Sequence, residues 1–152
     1  MFDLSGMTAL VTGASGGIGS AIAKALAVQG ATVALSGTRQ DALEAVRAEI
    51  GGEAVTVPAN LSDPQSVEAL IPSALNALGG RLDILINNAG VTRDNLAMRM
   101  KDDEWSQVIA INLEAAFRLV RAASRPMMKS RFGRIISITS VVAWAGNPGQ
   151  AN

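Results

Sequence analysis

Apolar residues along this chain fall into two alternating patterns, short continuous runs and positions three or four apart. Thr8 to Val11 reads as a buried strand, after which Ile18, Ile22 and Leu26 recur every fourth residue and predict a helix that Gly30 stops. Thr32 to Ser36 is a second strand. Helical spacing returns with Leu43, Val46 and Ile50 and ends at Gly51-Gly52. Ala54 to Val57 reads as a third strand, and Ser62-Asp63-Pro64 as a helix start, with a capping side chain ahead of a first-turn proline. That helix turns Val67, Leu70, Ile71, Ala74 and Leu78 inward. Pro72 lies inside it and either kinks the helix or breaks it in two.

Leu82 to Ile86 is a fourth strand, and its near-continuous apolar run suits a parallel sheet covered on both faces. It ends in Asn87-Asn88-Ala89-Gly90. A polar loop leads to helical material from Asp102 to Lys129, whose apolar side carries Trp105, Val108, Ile109, Leu113, Phe117, Leu119 and Val120. Arg134 to Ser140 reads as a fifth strand and Val141 to Asn152 as loop. Strand and helix alternate, which predicts an α/β fold with a parallel sheet, helices on both faces and right-handed crossovers.

Composition narrows the chemistry. With 49% hydrophobic content in 152 residues the chain can bury a sizeable core, and residues 1–152 are expected to form one domain. Thirteen basic and thirteen acidic residues cancel, without a long run of either sign, so neither nucleic acid nor membrane is expected as a partner. No cysteine, histidine or tyrosine is present. Thiolate nucleophiles, Ser-His-Asp catalysis, histidine or cysteine metal sites and tyrosine acid–base chemistry cannot come from these residues. Met1-Phe2-Asp3-Leu4 lacks a cationic export signal, and the expected compartment is the cytoplasm.

Thr12-Gly13-Ala14-Ser15-Gly16-Gly17-Ile18-Gly19 stands between the first strand and the first helix. Glycines there let backbone approach a ligand closely, and the helix N-terminus offers N–H groups and partial positive charge to a pyrophosphate. Alone, the spacing also fits a tight strand-to-helix turn with no ligand. At the end of the second strand, Ser36-Gly37-Thr38-Arg39 has no carboxylate before Asp41. An acidic side chain at this place suits a free ribose 2′-hydroxyl, and a cation suits a 2′-phosphate. Arg39, with Ser15 and Thr38 as neutral donors, therefore favours NADP(H) over NAD(H); otherwise Arg39 is a solvated residue at a helix start.

The motifs together resemble those of the short-chain dehydrogenase/reductase family. Thr12 to Gly19 is similar to its T-G-x-x-x-G-x-G, Asn87 to Gly90 to its N-N-A-G, Asn112 to its helix asparagine and Ser140 to its catalytic serine. Within the family, Gly90 to Leu96, Met98 to Lys101 and Gly146 to Asn152 resemble the 3-oxoacyl-[acyl-carrier-protein] reductases of bacterial fatty acid synthesis. The resemblance implies a Rossmann-type three-layer sandwich with strand order 3-2-1-4-5 and NADPH-dependent reduction of an acyl thioester. It places the cofactor against Gly13, Ser15, Gly16, Gly17, Ile18, Gly19, Thr38 and Arg39. Asn60 and Leu61 would hold the adenine, and Asn88, Ala89 and Gly90 the ribose and nicotinamide. Ser140 would hydrogen-bond the substrate oxygen and Asn112 would anchor a water in a proton relay; Asn87 and Asn88 also suit turn stabilisation through their own amides.

Lys129, Arg131 and Arg134 form a basic group ahead of strand five. The resemblance implies contact of Lys129 and Arg131 with an acidic acyl carrier protein, near the mouth of the site; the residues also suit a solvated helix end. A homo-oligomer is implied as well. In the resembling enzymes a Tyr-x-x-x-Lys motif begins just after the position of Asn152, so half of the catalytic group and strands six and seven are expected to be missing. Strand five would then be an uncovered apolar edge. Other readings are a dehydrogenase of sugars, polyols or small ketones, and a nucleotide-binding or oligomerisation module without catalysis.

Overall fold

The computed structural model describes residues 3–52 and 54–152. Met1 and Phe2, part of the segment read above as lacking an export signal, and Glu53 lie outside the described residues. Five strands form one parallel sheet: β1 (Thr8–Thr12), β2 (Thr32–Ser36), β3 (Ala54–Thr56), β4 (Ile84–Asn87) and β5 (Arg134–Ser137). Their order is β3-β2-β1-β4-β5, as the resemblance implied.

Successive strand side chains point to opposite faces, and the core divides accordingly. Ala9, Val11, Val33, Leu35, Ile84 and Ile86 pack on one face with Ala23 of α1 (Gly17–Val28) and with Leu43 and Val46 of α2 (Gln40–Ile50). Leu10, Ala34 and Leu85 pack on the other with Leu70 and Ile71 of α3 (Pro64–Ala77) and Leu119 and Ala123 of α5 (Ala116–Ser130). Burying a leucine or isoleucine side chain on this scale contributes about 1.5–3 kcal/mol each. The sheet is therefore held from both sides, and its strand ends are left to build a site.

Several boundaries differ from expectation. Pro72 does not break the helix in two: α3 is continuous from Pro64 to Ala77, with Asp63 capping the Gln65 and Ser66 N–H groups. The long helical stretch divides into α4 (Asp102–Val108), a π-helical turn (Ile109–Ala115) and α5, which contains Pro126. On its apolar side Trp105, Leu113 and Phe117 are exposed, while Val108, Leu119, Ala123 and Met127 carry the burial. Strand five stops at Ser137 rather than Ser140, and the segment read as loop contains α6 (Val142–Ala145). β5 forms one edge of the sheet, and all of its residues are exposed, Ile135 and Ile136 included.

Asp83 ties the start of β4 to β1. Its fully buried carboxylate accepts from the Thr8 N–H at 2.9 Å, the Thr8 hydroxyl at 3.2 Å and Arg81 Nε at 2.7 Å. A buried carboxylate is tolerated because each of these donors faces it.

Candidate functional site

At the carboxyl ends of β1, β2 and β4 lies a cleft of about 420 Å³. This is where open parallel sheets receive ligands, beside the strand order's reversal at β1 and β4. The structure brings into it Gly13, Ser15, Gly16, Gly17, Ile18 and Gly19 from the glycine turn, Thr38 and Arg39 after β2, Asn60 and Leu61 after β3, and Asn88, Ala89 and Gly90 after β4. Ala59, Val91 and Ile111 line it too. Those three were missed in the sequence, since an ordinary apolar residue carries no signal of facing a ligand.

Ile18 explains a failure of periodicity. It continues the spacing of Ile22 and Leu26, yet it is 65% exposed, because the first turn of α1 faces the cleft rather than the core. That first turn has no side-chain cap and no acidic residue. Its N–H groups and dipole are therefore available to an anion.

The glycine turn is close-packed against the end of β4. Gly13 has φ +65°, and a Cβ there would lie 2.9 Å from Ala89 Cα. A Cβ on Gly19 would collide with the Gly13 carbonyl and lie 2.6 Å from Asn88 Nδ2. Asn88 braces this contact by donating to the carbonyls of Thr12 at 3.0 Å and Gly13 at 3.3 Å. Its amide thus serves the turn, which is the stabilising role weighed above. Thr12 supplies the other half: its hydroxyl accepts from the N–H groups of Asn88 and Ala89, both at 3.0 Å, and donates to the Ile86 carbonyl at 3.2 Å.

Arg39 reaches back across the cleft mouth to the Ser15 carbonyl, with Nη2 at 3.3 Å. This is an exposed cation beside the turn, with no carboxylate pairing it among the described residues. Asn60 uses its side chain to fold the loop ahead of α3, with Oδ1 accepting from the Ser62 N–H and hydroxyl. Asn87 is buried; its Nδ2 faces Ser137 Oγ at 3.4 Å, and its Oδ1 has no partner among the described residues.

Asn112 lies in the π-helical turn. Its Oδ1 accepts from the Val91 N–H and its Nδ2 donates to the Val91 carbonyl, both at 2.9 Å. The side chain that the resemblance assigned to a water is thus engaged with the loop after β4. Ser140 is exposed beyond the end of β5, where its Oγ faces the Val142 N–H at 3.4 Å, a long contact that leaves the hydroxyl free to turn.

The basic group is not at the mouth. Arg134 pairs with Ile84, the first residue of β4, whereas Ser137 pairs with Asn87 at its end. Arg131, in the left-handed conformation with φ 54°, closes α5, and Lys129 borders a hollow with Gly80, Arg81 and Leu82. Lys129, Arg131 and Arg134 therefore sit at the opposite end of the sheet from the cleft. The parallel crossover decides this: a helix that returns to start a parallel strand must end at the sheet's amino-terminal edge.

Among the described residues no group of acidic, histidine or cysteine side chains is arranged to hold a metal ion, and no helix is long and apolar enough to cross a membrane.

The family model described as short chain dehydrogenase matches residues 7–152. Nodulation protein G of Rhizobium sp. (strain N33) is 55% identical over 152 residues, covering 100% of this chain and 62% of its own length. The 3-oxoacyl-[acyl-carrier-protein] reductase FabG of Escherichia coli (strain K12) is 49% identical over 150 residues, covering 99% of this chain and 61% of its own. The chain thus spans about three fifths of the length of these curated relatives. A crystal structure from Sinorhizobium meliloti 1021, provisionally named a short-chain alcohol dehydrogenase, superposes with a TM-score of 0.93 at 37% identity, covering 99% of this chain and 60% of that one.

Proposed function

The chain belongs to the short-chain dehydrogenase family, and on that premise we propose that it is the NADP(H)-holding part of a reductase of 3-oxoacyl thioesters borne by an acyl carrier protein. The observation that carries this reading is the cleft itself. A glycine turn with no room for a Cβ at Gly13 or Gly19, an uncapped helix N-terminus and an exposed arginine converge on one space.

When bound, a nicotinamide nucleotide supplies a hydride to a carbonyl carbon. The residues present fit such a group. N–H groups of the α1 first turn face a pyrophosphate, and Gly13 and Gly19 let the turn close on the end of β4 so that those groups are presented to it. Arg39, assisted by Thr38 and the Ser15 hydroxyl, takes a 2′-phosphate, since a guanidinium matches phosphate oxygens in a fork. Asn60 and Leu61 border the adenine side, and the backbone of Asn88 to Gly90 the ribose and nicotinamide side. Ser140 donates its hydroxyl to the substrate oxygen. Asn112 fixes the loop after β4 through Val91.

The thioester substrate is supported by the FabG relatives at 48–50% identity; the name Nodulation protein G specifies no substrate. Lys129 and Arg131 remain the proposed contact for an acidic carrier. Arg134 is six residues from Ser140, at most about 20 Å of extended chain, a span that a carrier docked there would cross with a thioester on a flexible arm of that length. A cytoplasmic homo-oligomer belongs to the same reading.

The test is a polypeptide of the relatives' full length carrying this sequence, assayed for NADPH oxidation with acetoacetyl thioesters and small ketones, and for NADP+ reduction with a panel of sugars and polyols. Turnover of thioesters above the rest is expected. Preference for a polyol or sugar would replace the substrate. The 152-residue chain alone is expected to bind NADPH at most weakly and without steady consumption, because it has no tyrosine to protonate the alkoxide.

A further inference from the structure

The loop between β4 and α4 carries contacts that cofactor binding does not use. Asn112 holds its beginning at Val91, as described above. Glu104 holds its end: Oε2 accepts from the Lys101 N–H at 2.9 Å and from Asn95 Nδ2 at 3.1 Å. Asn95 Nδ2 also donates to the Arg99 carbonyl at 3.1 Å, so one amide closes the loop on itself.

The same loop grips the segment that follows α6. Asn95 donates its N–H to the Gly149 carbonyl at 2.8 Å and forms a parallel bridge with Gln150. Gln150 Nε2 donates to both Asp94 carboxylate oxygens, at 3.1 and 3.2 Å, and Asn152 Nδ2 donates to the Arg93 carbonyl at 2.9 Å. The Lys101 N–H, then the Asn95 amide, hold the Glu104 carboxyl below the usual glutamate range, so at neutral pH it is an acceptor only.

We propose that Glu104 is a positioning residue, which through Asn95 fixes loop 91–101, whose first residue Val91 lines the cleft, and through that loop fixes residues 149–152. Helix capping alone explains the Lys101 contact. It does not explain why the carboxylate oxygen is shared with Asn95, whose backbone N–H is the link to Gly149. The inference rests on the reductase reading only in taking residues 149–152 as a segment that would face the substrate.

Amide hydrogen exchange on the 152-residue chain tests the clamp without any cofactor, so its failure and the failure of the reductase reading are separately visible. The reporters are the Asn95 N–H, bonded to Gly149, and the Gln150 N–H, bonded to Asn147. Glu104→Ala should speed exchange at both by about ten-fold or more, with amides of β1 and β2 unchanged as a check on folding. Asn95→Ala keeps the Lys101 cap, yet should speed exchange at Gln150 similarly. Glu104→Gln, whose carbonyl oxygen can accept both bonds, should restore most of the protection. Faster exchange confined to the first turn of α4, or no rescue by Glu104→Gln, would overturn the proposal.

Discussion

Thr12→Val removes one oxygen from the joint between β1 and β4 and almost nothing else, since the side chains are nearly equal in volume. The hydroxyl is 2% exposed as part of its residue and makes three hydrogen bonds, to the Asn88 N–H, the Ala89 N–H and the Ile86 carbonyl. At about 1 kcal/mol net per bond, the expected loss is about 3 kcal/mol. Asn88 and Ala89 are only partly buried, so water can reach part of what is orphaned, and the figure is an upper one. For a urea slope of about 2–3 kcal/mol/M, the midpoint should fall by roughly 1–1.5 M. Circular dichroism during urea unfolding reads this directly. Thr12→Ser, which keeps the oxygen, should lose about 1 kcal/mol for the missing methyl. If the valine variant unfolds at the wild-type midpoint, or the serine variant is the weaker of the two, the hydroxyl is not what joins the strands.

Gly19→Ala puts a Cβ against the Gly13 carbonyl and Asn88 Nδ2, so the turn must open; NADPH affinity measured by calorimetry should drop at least about ten-fold, against an overpacking cost of about 1–3 kcal/mol. Unchanged affinity would show that the turn yields freely. The Thr56 hydroxyl, then Arg47, lowers the Glu44 carboxyl below its usual range. Because the folded-state value is the depressed one, Glu44 contributes its stability fully above the ordinary glutamate value and loses it as pH falls through the folded value. Urea unfolding between about pH 3 and pH 7 should therefore show a smaller acid-side loss in Thr56→Val than in wild type, and parallel curves would contradict the assignment.

Most of the sheet was legible because parallel strands covered on both faces need continuous apolar runs, as in Ala9 to Val11 and Ile84 to Ile86. The glycine turn was legible for a similar reason, since backbone contact leaves few alternatives to glycine. Thr12 was visible only as the first letter of a motif. Its partners Asn88 and Ala89 lie 76 and 77 positions away, and no local pattern announces them. The same holds for Asp83, 75 positions from Thr8, and for the clamp between Asn95 and Gly149. Periodicity failed at Ile18, Leu113 and Phe117, which keep the helical spacing but are 65%, 62% and 61% exposed. Spacing tells which side chains share a face and not which face the core claims. The basic group was legible as charge, while its place at the far end of the sheet follows from the direction of β5, a property of topology.

The central claim is that this cleft holds a dinucleotide whose 2′-phosphate meets Arg39. Titration of the chain with NADPH and with NADH, for wild type and Arg39→Gln, measures it most directly. Wild type should bind NADPH more tightly, and the substitution should weaken NADPH by about ten- to hundred-fold while leaving NADH nearly unchanged. Equal affinity of wild type for both nucleotides, or an NADPH preference that survives the loss of Arg39, would contradict it.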